Sequence, residues 1–172
     1  MLQAVLIVVF SALASLISLP VGSGGFRITF GIVALITALH VLKPKHPILL
    51  ALLTGIAVAI LRITVDSFSL GMDATIASSY LLEIFFYVAY AFIYDWAITT
   101  NTSSYPLPLV LALVLCDTGA NTIEYILRNL AANTVWDNTS FYSILLAAVV
   151  RSVVIVFAVW LAHNAMLKRA PK

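Results

Sequence analysis

The stretch LPLVLALVLCDTGANTIEYILRNL, residues 107–130, decides the fold. Its first half is almost wholly apolar. Its second half places Asp117, Asn121, Glu124 and Arg128 at steps of four, three and four residues, which is one face of an α-helix. Lipid does not tolerate such a stripe, so in a membrane helix it turns toward the interior of a bundle.

Reading outward, five further apolar blocks flank this one: Leu2–Leu19, Ile28–Leu42, Pro47–Val65, Ala74–Thr99 and Phe141–Ala165. Breaks separate them. Pro20 to Gly25 is glycine-rich, Lys43 to Pro47 is a tight polar turn, and Ser67 to Asp73 contains Gly71. The composition agrees. Of 172 residues only 9% are charged, against roughly 25% in a soluble domain, and the mean hydropathy is +1.10. Blocks near 20 residues match the bilayer core. The expected fold is therefore an all-α integral membrane protein, one domain over residues 1–172. It is a six-transmembrane-helix bundle with helices at 2–19, 28–42, 47–65, 74–99, 107–130 and 141–165. The first block lacks a basic leader region and reads as a retained helix.

Charge sets the expected orientation. Lys43 and Lys45 fall in the second connection, and Lys168, Arg169 and Lys172 in the C-terminal tail. With six spans these places share one side, the cytoplasm, so both termini are expected there, in a multi-pass protein of the cell membrane. The net charge of +2 is too small and scattered for nucleic acid. The single Cys116 allows no internal disulfide. No Cys/His cluster has metal-ligand spacing, and no catalytic set or cofactor motif stands out, so an enzyme is not expected.

The ionisable residues within the apolar blocks are the functional candidates. Besides the stripe on the fifth block, these are Glu83, Arg151 and Arg62. Tyr80, Glu83, Tyr87, Tyr90 and Tyr94 form a second stripe on the fourth block. At 1.5 Å per residue, Glu83 and Arg151 lie roughly 14 and 15 Å from the outer end, and Asn121 and Glu124 roughly 10 to 15 Å. Acid, base, amide and phenol thus meet at one depth, as in a small-molecule pocket. The candidate ligand-binding residues are Glu83, Tyr87, Asn121, Glu124, Arg128, Arg151, Arg62 and Asp117. Arg151 is expected to pair with Glu83 or Glu124, because a lone guanidinium at that depth is too costly. The loop Pro20–Phe26 is expected to cap the pocket from outside, with Gly24 and Gly25 giving freedom and Phe26 and Arg27 giving rim contacts. A purely structural ion cluster is the competing reading. Ser11 and Ser15, and Ala14 and Ser18, make a small-residue face on the first helix for close packing.

This organisation resembles the S components of energy-coupling factor vitamin transporters. The stretch Phe26–Ile36 with Leu53–Arg62 looks like their second and third helices. The resemblance implies an S-component-like fold and a substrate-binding subunit for vitamin or micronutrient uptake. It also implies a transmembrane coupling subunit with ATPases as partner. The chain has Ser11 and Ser15 where those proteins usually present alanines for docking. Gly55 with Arg62, Cys116 to Arg128, and Val149 to Ser152 look more like the membrane input domains of bacterial sensor histidine kinases. That likeness implies a ligand-sensing module joined to a kinase. Rod-shape-determining membrane proteins share the general plan, which implies a scaffold, though they usually carry an acid where Arg62 stands.

Overall fold

Apolar length alone separates the helices into two groups. Four are long and apolar enough to cross a membrane: Pro47–Phe68, Ala74–Thr99, Leu109–Leu130 and Phe141–Lys168. Two others are shorter, Leu2–Ala14 and Phe30–Leu42, each roughly 20 Å long at 1.5 Å per residue. The protein is a membrane protein built on these helices. A computed structural model describes residues 2–21, 27–69, 73–100 and 108–169. In chain order the helices are α1 (Leu2–Ala14), α2 (Phe30–Leu42), α3 (Pro47–Ser69), α4 (Ala74–Tyr94), α5 (Leu109–Leu130) and α6 (Phe141–Arg169).

The sequence marks several of these ends. Pro47 opens α3, where a missing N–H costs nothing. Lys43 closes α2 in the left-handed region at φ 45°, its N–H donating back to the Leu39 carbonyl. Ala132, at φ 51°, closes α5 in the same way, and the N–H of Asn133 then reaches the Arg128 carbonyl at 2.9 Å. Helix α4 continues into a π-helical turn, Asp95–Thr99.

The first helix departs from its expected length. Helix α1 stops at Ala14, and Ser18–Pro20 is instead strand β1, paired antiparallel with β2 (Arg27–Thr29) in the register Ser18 to Thr29 and Pro20 to Arg27. Helix α2 accordingly begins at Phe30 rather than Ile28. The hairpin satisfies the backbone where the helix ends, as an apolar surrounding requires. Helices α3 and α6 run past their expected ends to Ser69 and Arg169.

The helices pack in a closed ring, in the order α1, α2, α6, α5, α4, α3 and back to α1. Close approach depends on small residues. A Cβ at Gly31 would lie 2.7 Å from Ser15 Cβ and 2.9 Å from the Ser11 carbonyl oxygen, and would also strike the Tyr87 hydroxyl. The Ser11/Ser15 face is therefore buried inside the bundle against α2. The core is filled by Ile32, Leu35, Ile36, Val58, Phe86, Tyr90, Leu113 and Ile155. Large apolar side chains such as Leu115, Phe92, Phe157 and Trp160 face outward, whereas Asp117, Asn121, Glu124, Arg128 and Arg151 are buried. That inversion fits a bundle whose solvent is lipid.

Candidate functional site

The buried charges form three ion pairs, one between α3 and α4, one within α5 and one between α5 and α6, and Arg128 joins α5 to α4 through Ser79. Arg62 Nη1 on α3 donates to Glu83 Oε2 on α4 at 2.7 Å, and its Nη2 donates to the Ser15 carbonyl at 2.6 Å. Arg62 thereby ties the open C-terminal end of α1 to α3, where a cation also suits the helix dipole. Arg128 and Glu124 pair one turn apart on α5, through Nε at 3.0 Å and Nη2 at 2.5 Å. The remaining donors of Arg128 reach Ser79 Oγ and the Ser79 carbonyl on α4, and Asn133 Oδ1. Arg151 on α6 is ion-paired with Asp117 on α5 at 2.9 Å.

The structure pairs Arg151 with Asp117, an acid that the depth argument did not single out. Rise per residue ranks side chains by height, but a guanidinium reaches several ångströms along the membrane normal. Packing of α5 against α6 puts Asp117 beside Arg151, while Glu83 and Glu124 are engaged by Arg62 and Arg128. Asn121 fixes Asp117 from one turn away. Its Nδ2 donates to Asp117 Oδ1 at 2.6 Å and to the Asp117 carbonyl at 2.8 Å.

These groups surround a cavity of about 440 Å³ at the end of the bundle where α1, α3 and α5 finish and α4 and α6 begin. Its wall contains Arg62, Glu83, Asn121, Glu124, Arg128 and Arg151, six of the eight candidate ligand-binding residues. The other two lie behind it. Tyr87 is fully buried in the core and Asp117 sits beneath Arg151. Aromatic rings complete the wall. The guanidinium carbon of Arg128 lies 4.3 Å from the Trp136 ring centre, that of Arg151 lies 5.1 Å from Phe86, and that of Arg62 lies 5.6 Å from Tyr80. Both arms of the hairpin contribute at the mouth, through Ser18, Arg27 and Thr29. Gly24, Gly25 and Phe26, the rest of the expected cap, lie outside the described residues.

Sequence reading passed over three contributors. Asp66 takes the hydroxyl hydrogen bond of Tyr80. It stands four residues after Arg62, a helical spacing that could have placed it on the same face. Ser79 and Asn133 lock Arg128. Asn133 also donates to the Thr75 carbonyl at 3.1 Å and Ser78 Oγ at 3.0 Å, and accepts from the N–H of Val135. It therefore joins the end of α5 to the start of α4, and no local pattern announces that role.

A smaller cavity of about 240 Å³ lies at the opposite end, beside the Lys43 turn. There His40 Nδ1 and the Tyr94 hydroxyl share a hydrogen bond of 2.7 Å. Among the described residues no group of three or more His, Cys, Asp or Glu side chains is arranged for a metal ion. Comparisons with protein-family profiles, curated proteins and solved structures give no match.

Proposed function

We propose that this chain binds a small molecule within the membrane, as the S-component-like substrate-binding subunit of an uptake transporter. The observation that carries the reading is the cavity. Its volume falls in the range of small-molecule sites, roughly 300–1,000 Å³. Its wall mixes charged, amide and aromatic groups inside a shell of apolar side chains. A merely structural ion cluster needs no void at its centre, because its charges pair best in direct contact.

In this reading all six helices sit in the bilayer, α1 and α2 extended toward one surface by the hairpin. The basic turn at Lys43 and Lys45 faces the cytoplasm, as do both termini. The 440 Å³ cavity then opens outward, on the side from which a nutrient arrives. A coupling subunit with ATPases is the implied partner. A second reading, a ligand-sensing input module, is favoured by one feature: α4 reaches both cavities. It supplies Glu83 and Phe86 to the outer one and Tyr94 to the inner one.

Native mass spectrometry of the protein released from mild detergent tests the binding claim. The expected spectrum contains the folded chain with a stoichiometric non-lipid adduct that disappears on unfolding. A spectrum of bare chain and lipid adducts alone, from cells grown in rich medium, would overturn it in favour of a scaffold.

A further inference from the structure

The smaller cavity, of about 240 Å³, lies at the opposite end of the bundle and shares no residue with the larger one. Its wall comes from the end of α2, the Lys43 turn, the start of α3 and the end of α4 with its π-helical turn. Tyr94, hydrogen-bonded to His40, is buried there, whereas Lys43 and Thr99 are exposed. The polar wall therefore runs from the interior to the surface, and it carries one ammonium, at Lys43, and one carboxylate, at Asp95.

Both charges stand on irregular backbone. Lys43 is in the left-handed region at φ 45°, where helix ends usually place glycine or asparagine. A lysine there costs stability that glycine would not, and strain kept at a charged residue points to use of its side chain. Asp95 and Thr99 bound the π-helical turn, a distortion that recurs at functional sites. Lys43 and Asp95 belong to none of the three ion pairs described above, so the cavity offers opposite charges at separate points. Its volume falls below the roughly 300 Å³ at which drug-sized sites begin. It suits a head group rather than a whole nutrient. The outer surface around this end is apolar, with Leu42, Leu49, Phe92 and Trp96 exposed, and tryptophan at a helix end marks the level of lipid head groups.

We propose that this second cavity binds a phosphoethanolamine group, its phosphate against Lys43 and its ammonium against Asp95. The apolar surround favours phosphatidylethanolamine as the carrier over the free compound. A phosphatidylglycerol head group would bring no cation to Asp95. Phosphatidylcholine would bring one without an N–H to donate. The site is independent of the outer cavity and of what that cavity binds.

Thermal unfolding in mild detergent, read by a thiol-reactive dye at the buried Cys116, tests this. The probes are phosphatidylethanolamine, phosphatidylcholine and phosphatidylglycerol of one acyl composition, and soluble phosphoethanolamine. A ligand of the native state raises the midpoint by mass action, here by about 5 °C or more for saturating phosphatidylethanolamine. Smaller rises are expected with the other two lipids. A rise as large with soluble phosphoethanolamine supports the same chemistry and identifies the free compound as its source. Lys43→Gly should raise the lipid-free midpoint by about 1–4 °C and abolish the phosphatidylethanolamine response. Asp95→Asn should abolish the preference for phosphatidylethanolamine over phosphatidylglycerol. Equal responses to the three lipids, or no response to any probe, would overturn the proposal. So would a Lys43→Gly protein that keeps the response, or one whose lipid-free midpoint falls, since Lys43 would then serve the fold.

Discussion

Asp117→Asn probes the least hydrated of the three ion pairs. Asp117 is 0% exposed and Arg151 2% exposed, with 2.9 Å between them. Asparagine keeps the size of the side chain and one oxygen for Asn121, so the change removes charge and little else. Arg151 then loses the carboxylate charge it pairs with on α5. Breaking a buried pair from one side costs about 3–5 kcal/mol. Arg151 also borders the cavity, where water can reach it, so the lower end of that range, about 3 kcal/mol, is expected. The double variant Asp117→Leu with Arg151→Met should recover most of the loss, since an apolar pair of similar volume replaces a buried ion pair at little cost. The assay uses Cys116, the chain's single cysteine, which is fully buried. A thiol-reactive dye reports its exposure during unfolding in mild detergent. An Asp117→Asn protein within about 1 kcal/mol of wild type would show that the Asp117 charge does not hold Arg151 in place. So would a double variant as unstable as the sum of the two single changes.

Other perturbations follow from the packing and the charge distribution. Gly31→Ala forces a methyl group against Ser15, the Ser11 carbonyl and Tyr87, and should cost about 1–3 kcal/mol in the same unfolding assay. Ala132→Gly relieves the left-handed backbone at φ 51° and should stabilise the protein by about 0.5–1 kcal/mol, measured as a rise in unfolding midpoint. A reporter fused after Lys172 should be active only when it is of a type that works in the cytoplasm; periplasmic activity would reverse the orientation drawn from Lys43, Lys45 and Lys168.

Much of the bundle was legible because lipid imposes a simple pattern. The fourth apolar block, read as Ala74–Thr99, coincides with α4 and its π-helical continuation. The stripe Asp117, Asn121, Glu124 and Arg128 turns inward in full. The hairpin was not legible, because Leu16, Ile17 and Leu19 continue the apolar run of α1 without a break in composition. Only the pairing of Ser18–Pro20 with Arg27–Thr29 turns that segment into a strand, and such pairing leaves little trace in three residues. Ion-pair partners were illegible for a different reason. Height along a helix follows from residue count, but which arginine meets which acid depends on ring order. The sequence places α1 and α2 together through a short connection, but not α2 beside α6.

The proposed function stands on a polar cavity, open to the outside, within a bundle sheathed in lipid. Thiol labelling in intact cells tests it most directly, in a Cys116→Ala background. Thr29→Cys places a thiol on the cavity wall at a position only 5% exposed, whereas Leu115→Cys places one on the outer surface of α5 at a position 59% exposed. A small, membrane-impermeant cationic methanethiosulfonate reagent added outside is predicted to modify Thr29→Cys and to leave Leu115→Cys untouched. Modification of Leu115→Cys, or protection of Thr29→Cys in ligand-free protein, would contradict the account.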